Sequence, residues 1–172
     1  MYKIQELYEE LKKQECYKKF IKDNKDAFLC AGFFVINLVD GEDKFQLDFY
    51  IPKKKRIAIS EYPFKEIRIQ KDKMESMMPL DELMIQVDLS DVEEIVEEAK
   101  AGNNNEQITT KIIAVLKDGI WNLTCMSDTL DLIRIKVSAS NEQILQFEKV
   151  GLMEMVRIER KDKKKENKLD KK

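Results

Sequence analysis

The sequence predicts an α+β fold built from two related units, each a helix followed by an antiparallel sheet, repeated with a period of 78 residues. Three observations predict it. Val35-Ile36-Asn37-Leu38-Val39-Asp40-Gly41 aligns with Ile113-Ala114-Val115-Leu116-Lys117-Asp118-Gly119, and Arg56-Ile57-Ala58-Ile59-Ser60 then falls without a gap on Arg134-Ile135-Lys136-Val137-Ser138. Ile67, Ile69 and Lys71 meet Leu145, Phe147 and Lys149 in the same register, and Met74, Met77 and Met78 meet Leu152, Met155 and Val156. Only 8 of these 44 ungapped pairs are identical, so the weight rests on coincident apolar and turn positions, which two unrelated runs of strands can also share. The period divides the chain into units 1–78 and 79–156, followed by a basic tail, 157–172, that is expected to be disordered.

Each element has its own warrant. From Tyr2 to about Asp23 the chain reads as helix: Ile4, Leu7, Tyr8 and Leu11 keep the spacing of one buried face. Beyond Lys13 the apolar positions move to Cys16, Tyr17, Phe20 and Ile21, so the helix bends there or its second half meets another partner. Ala27 to Val39 is apolar at nearly every position, which predicts a strand covered on both faces, with Gly32 marking a bulge or bend. Asp40 to Asp43 is a turn. Lys44 to Ile51 alternates, with Phe45, Leu47, Phe49 and Ile51 on one side. Pro52 to Lys55 turns into a third strand, Arg56 to Ser60, and a fourth follows at Glu66 to Lys71.

After a methionine-rich turn at Asp72 to Pro79, alternation of Leu83, Ile85 and Val87 predicts a short strand. Ser90-Asp91-Val92-Glu93 reads as a capping box opening a helix with Val92, Ile95, Val96 and Ala99 on its inner face and Gly102 at its end. Gln107 to Lys117, Ile120 to Met126 and Leu130 to Ser138 are strands, the first two joined by the hairpin signal Asp118-Gly119. Ile144 to Val150 reads as a fourth strand, with a helix as the competing assignment, and Gly151 to about Arg160 as a closing helix.

Composition limits the function classes. The chain has no histidine, which removes the histidine-dependent nucleophile systems, histidine general bases and most zinc sites. Its three cysteines, Cys16, Cys30 and Cys125, are widely spaced and read as reduced, mostly buried small hydrophobes. No phosphate-binding glycine loop or calcium loop is present. No apolar run reaches the ~20 residues of a membrane span, and the N-terminus lacks an export core, so the expected address is the cytoplasm. Neither a cofactor, a metal nor an enzymatic activity is expected.

Charge is unevenly distributed. The tail carries nine basic and four acidic residues, so the preceding 156 residues carry −7 of an overall −2. That polarity disfavours whole-surface nucleic-acid binding. The candidate interaction residues are Lys53, Lys54, Lys55 and Arg56, which read as a solvated hairpin turn or a phosphate contact, together with Lys163, Lys164 and Lys165 in the tail. Phe45 and Trp121, each early in the second strand of its unit, read as core or as the lining of a groove. The acids Asp88, Asp91, Glu93, Glu94, Glu97 and Glu98 read as a solvated helix face and not as metal ligands.

The strand carrying Trp121-Asn122-Leu123-Thr124, followed by Ile133 to Ala139, the polar turn Ser140-Asn141-Glu142-Gln143 and the pair Ile144-Leu145, resembles the PepSY pattern and, more broadly, cystatin-like units. Asn141-Glu142 stands where that family usually has glycine. The resemblance spans the strands of both halves, roughly 100 residues, and implies a binding or regulatory module without catalytic residues to carry over. The element order is also similar to small acidic secretion chaperones, which usually dimerise. The expectation is a non-enzymatic protein-interaction or regulatory module, either binding another protein or forming a homodimer through a sheet edge or apolar face. A nucleic-acid-associated protein using the lysine turn and tail, and a small-molecule carrier, are the other readings.

Overall fold

The structure, a computed structural model, describes residues 2–151. Eight strands form one antiparallel sheet in the order β4-β3-β2-β1-β5-β6-β7-β8. The strands are β1 (Phe28–Asn37), β2 (Lys44–Ile51), β3 (Arg56–Glu61), β4 (Arg68–Lys73), β5 (Thr109–Lys117), β6 (Ile120–Ser127), β7 (Leu132–Ser138) and β8 (Ile144–Val150). Three helices accompany them: α1 (Ile4–Lys12), α2 (Glu15–Asp23) and α3 (Val92–Gly102). The chain therefore builds two four-stranded meanders that meet where β1 pairs with β5, from Ala31↔Lys117 to Asn37↔Lys111.

The first helical segment is divided at Lys13 and Gln14, where its apolar face changes side. Ile4, Leu7 and Leu11 of α1 and Phe20 of α2 are buried. Phe49 on β2 receives Tyr8, Tyr17 and Phe20 at centroid distances of 5.9, 5.8 and 5.7 Å. Val92, Ile95, Val96 and Ala99 of α3 join the same cluster as Phe34, Leu47, Phe49, Ile112, Leu116, Trp121 and Ile135 from the sheet. All three helices thus cover one face of the sheet. The alternation of β2, β5, β6 and β7 follows from this, since every second side chain faces the helices.

Two turns show local chemistry clearly. Asp118 and Gly119 have φ of 53° and 70°, the left-handed pair that a two-residue hairpin needs. On β1, the bulge lies between Leu29 and Ala31, not at Gly32. Gly32 instead makes room for its neighbour: a Cβ there would stand 2.6 Å from the Phe34 ring.

Three expectations are corrected. The stretch Leu83–Val87 is not a strand. It contains a 3-10 turn, Glu82–Met84, held by the Asp81 side chain accepting from Leu83 N at 3.0 Å, and local capping of this kind competes with sheet pairing. The capping box lies at Asp88 and Asp91, not at Ser90 and Glu93, and opens a second 3-10 turn, Leu89–Asp91, that runs into α3. Among the described residues, β1 is covered on both faces only at its beginning, as described below. Ile144–Val150 is a strand, which settles its two readings, and the expected closing helix and tail fall beyond Gly151, outside the described residues.

Asp88 ties the halves together. Its Oδ1 accepts from Ile4 N at 2.9 Å and Leu89 N at 2.7 Å, so one carboxylate caps the start of α1 and the turn leading into α3. Asp88→Ala strands both donors and is expected to lower stability by about 1–2 kcal/mol, read as a lower urea midpoint with an unchanged slope. An unchanged midpoint would show that water replaces the carboxylate at no cost.

Candidate functional site

The helices leave the second face of the sheet to be covered by other means, and among the described residues only one end of it is. Beyond β4 the chain crosses that end: Tyr50 Oη donates to the carbonyls of Met74 and Glu75 at 2.8 and 2.9 Å, and Met77 packs on a small second cluster of Cys30, Ala31 and Tyr50. Leu80 N then donates to Leu29 O at 2.8 Å, and Leu80, Val87 and Leu89 enter the main core on the helix side. The segment therefore works as a strap around one end of the sheet.

Past the strap no other described residue packs over the face. Phe33 and Val35 on β1 stand opposite Val115 and Ile113 on β5. These four apolar side chains are half-buried by their sheet neighbours and belong to neither core cluster. Cross-strand partners extend the two rows outward: Gln46 and Lys44 on β2, Asn122 and Thr124 on β6, Lys136 and Arg134 on β7. Lys111 and Lys117 share the face, because Ile112, Ala114 and Leu116 between them point into the core. The centre of the sheet is thus apolar and its flank basic.

Asp48 belongs to the same face, opposite Ala31 and Ile59. Burial pushes its carboxyl up to about 6, partly offset by Gln46 Nε2 donating to Oδ1 at 2.7 Å. Among the described residues no cation lies within ion-pair distance of it.

The residues singled out from sequence are dispersed. Lys53, Lys54 and Lys55 form the exposed β2–β3 turn and Arg56 opens β3. Lys53 N donates to Asp26 at 2.8 Å, and Lys55 Nζ lies 3.3 Å from exposed Glu75, a surface pair contributing about 0–1 kcal/mol. Trp121 has no exposure and donates from Nε1 to Val87 O at 2.8 Å. Phe45 is also in the core, and Phe34 lies between the two, its ring 6.3 Å from Phe45 and 5.8 Å from Trp121. Of the two readings the structure gives the core one: both point to the helix side and do not line one groove. Phe45 does border a groove of about 640 Å³ with Tyr2, Phe33, Gln46 and Tyr62 at the other end of the sheet. Lys163, Lys164 and Lys165 lie outside the described residues.

Of the acids near α3, Asp88 and Asp91 cap, Glu97 holds buried Lys100 at 2.8 Å, and Glu94 and Glu98 are exposed. Among the described residues no cluster of three or more Cys, Asp or Glu is placed to hold a metal ion, and no helix is long and apolar enough to cross a membrane. Sequence reading missed Phe33, Val35, Ile113 and Val115 as surface residues. The signal was present in the two-sided apolarity of β1, but pairing alone does not say whether a second layer exists.

No family model and no curated protein sequence matches the chain. Among solved structures it is similar to a "putative lipoprotein" from Clostridium difficile 630, with a TM-score of 0.50, 15% identity, and coverage of 77% of this chain and 88% of that one. At this identity the likeness concerns the fold, and it agrees with the sheet-and-helix architecture.

Two measurements follow. The folded-state value of Asp48 lies above the ordinary 3.8, so its contribution to stability is present below about pH 4 and is lost as pH rises through about 6. Asp48→Asn is expected to be more stable than the parent at pH 7 by about 1–3 kcal/mol, with the difference closing at pH 4; parallel urea curves at both pH values would contradict it. Burial also pushes the Cys30 and Cys125 thiols up to about 12, whereas Cys16 is partly exposed. In native protein at pH 8, iodoacetamide should modify Cys16 at least about tenfold faster than the other two, as read by peptide mass.

Proposed function

We propose that this chain is a non-enzymatic protein-interaction module that docks its partner on the open face of the sheet. The observation that carries the reading is the pair of apolar rungs Phe33–Val115 and Val35–Ile113, at the middle of an eight-stranded sheet and packed against neither core cluster. Apolar side chains on an antiparallel sheet normally face a packed layer, and an uncovered contiguous group marks a contact surface.

We also propose that the two meanders are copies of one unit. The β1–β5 ladder supports this: Val35 pairs with Ile113, the residue that the 78-residue period assigns as its counterpart, which is the pairing an internal two-fold relation would produce. A duplicated unit that joins its copies edge to edge doubles the breadth of one face, and this suits a protein partner better than a small ligand. Three free cysteines, two of them buried, fit a reducing compartment such as the cytoplasm.

The test is affinity capture from the source cell with the full-length chain, a 1–156 form, and the full-length double variant Val35→Asp/Ile113→Asp. A stoichiometric protein should be retained by the first two and lost with the variant, whose circular dichroism should stay close to the parent while its melting temperature falls, because the two carboxylates face each other across the ladder. Equal retention by a folded variant would remove the open face from the reading. Nucleic acid recovered only with the full-length form at low salt would replace it with the tail.

A further inference from the structure

The open face has a sign as well as a shape. Lys44 on β2, Lys111 and Lys117 on β5, and Arg134 and Lys136 on β7 flank the apolar rungs, and among the described residues none is within ion-pair distance of a carboxylate. By register, the open-face positions of β5, β6 and β7 include no acidic side chain. The acids of this half gather on the other side of the sheet, where α3 carries Glu93, Glu94, Glu97 and Glu98. On the face itself, Glu61 is engaged by Arg68 at 2.9 Å, leaving Asp48 and, across from Arg134, Glu148; at its margin Glu42 and Asp43 line the groove beside Phe33 and Lys44, where Asp43 accepts from Asn37 N at 2.8 Å.

We infer that the open face binds an acidic protein surface, one that sets an apolar or aromatic side chain against Phe33, Val35, Ile113 and Val115 and carboxylates against Lys117, Arg134 and Lys136. This rests on the docking reading above and adds the chemistry of the partner. Mutual repulsion keeps a set of neighbouring cations from improving the free protein's stability, whereas an acidic partner relieves it and is steered in from a distance. A second copy is disfavoured by the same charges, since stacking two such faces would oppose cation to cation. Single-stranded nucleic acid would find the cations, but Phe33 is the sole aromatic on the four-residue stripe, and base-stacking surfaces use several.

The experiment titrates the isotopically labelled full-length chain with three probes and follows amide signals by NMR: a random glutamate–tyrosine copolymer, a lysine–tyrosine copolymer of equal length, and oligothymidylate. The glutamate–tyrosine probe should shift Phe33, Val35, Ile113 and Val115, with half-saturation rising several-fold between about 50 and about 200 mM salt. Lys117→Glu/Lys136→Glu should weaken that response at least tenfold while leaving the helix-side signals in place. Shifts confined to the tail or to α3, or no shifts at all, would overturn the acidic-partner inference. So would tighter binding of the face by the lysine–tyrosine probe or by oligothymidylate. The docking reading is judged separately: if Val35→Asp/Ile113→Asp abolishes protein capture while Lys117→Glu/Lys136→Glu does not, the face docks a partner and its acidity is wrong. If neither affects capture, both fall.

Discussion

Everything in this molecule depends on the β1–β5 ladder. It is the hydrogen-bonded junction between the two meanders, and it places the most apolar strand of the chain at the centre of the sheet. β1 alone could not set its own register, because a slip of one residue would exchange Phe33 and Val35 for Phe34 and Ile36, and both sets are apolar. The partner decides the facing: β5 has Ile112, Ala114 and Leu116 on one side and Lys111 and Lys117 at the ends of the other, and a one-residue slip would carry the lysines into the core. Gly32 adds a second constraint, since the Phe34 ring occupies the space that a side chain there would need.

The junction between the halves is reinforced at both ends of the connecting segment. Tyr50 holds its beginning through the carbonyls of Met74 and Glu75, while the carbonyl of Ala139 receives both Gln86 N and Val87 N near its end. Asp88 then joins α1 to the turn before α3, and Trp121 fixes Val87 from below. The strap covers the sheet's second face only near Cys30, Ala31 and Tyr50. Among the described residues one apolar strand thus has two environments on the same face: Met77 covers its beginning, and nothing packs over its middle.

Much of the architecture was legible because it follows from local pattern. Alternation in Lys44–Ile51 and the Asp118-Gly119 turn encode a strand and a hairpin without reference to anything distant. The connecting segment was less legible. Leu83, Ile85 and Val87 alternate like a strand, yet Asp81 takes the Leu83 N–H, and Gln86 N and Val87 N both donate to the single carbonyl of Ala139 in another hairpin instead of forming a ladder. The candidate surface was legible only in part. A run such as Phe28–Asn37 states that both faces are apolar, and it cannot state that one cover is a helix layer, another a short strap, and the remainder a surface. Trp121 and Phe45 were readable as core from their strand spacing, and placing the layers was needed only to separate that reading from a shared groove.

The edges of the sheet sharpen the choice between a face and an edge as the contact surface. β4 exposes all six of its residues, and Arg68, Lys71, Asp72 and Lys73 make it a poor template for strand addition. β8 carries Glu148 and Lys149, and its pairing with β7 is interrupted by a bulge at Leu145. Both edges thus carry the features by which sheets resist pairing with other chains. The apolar rungs sit four strands in from either edge, where no backbone group is free and only side chains can make contact. A partner that reaches them must therefore come down on the face. Its selectivity must then come from the shape of the apolar stripe and the sign of the charges around it, not from main-chain hydrogen bonds.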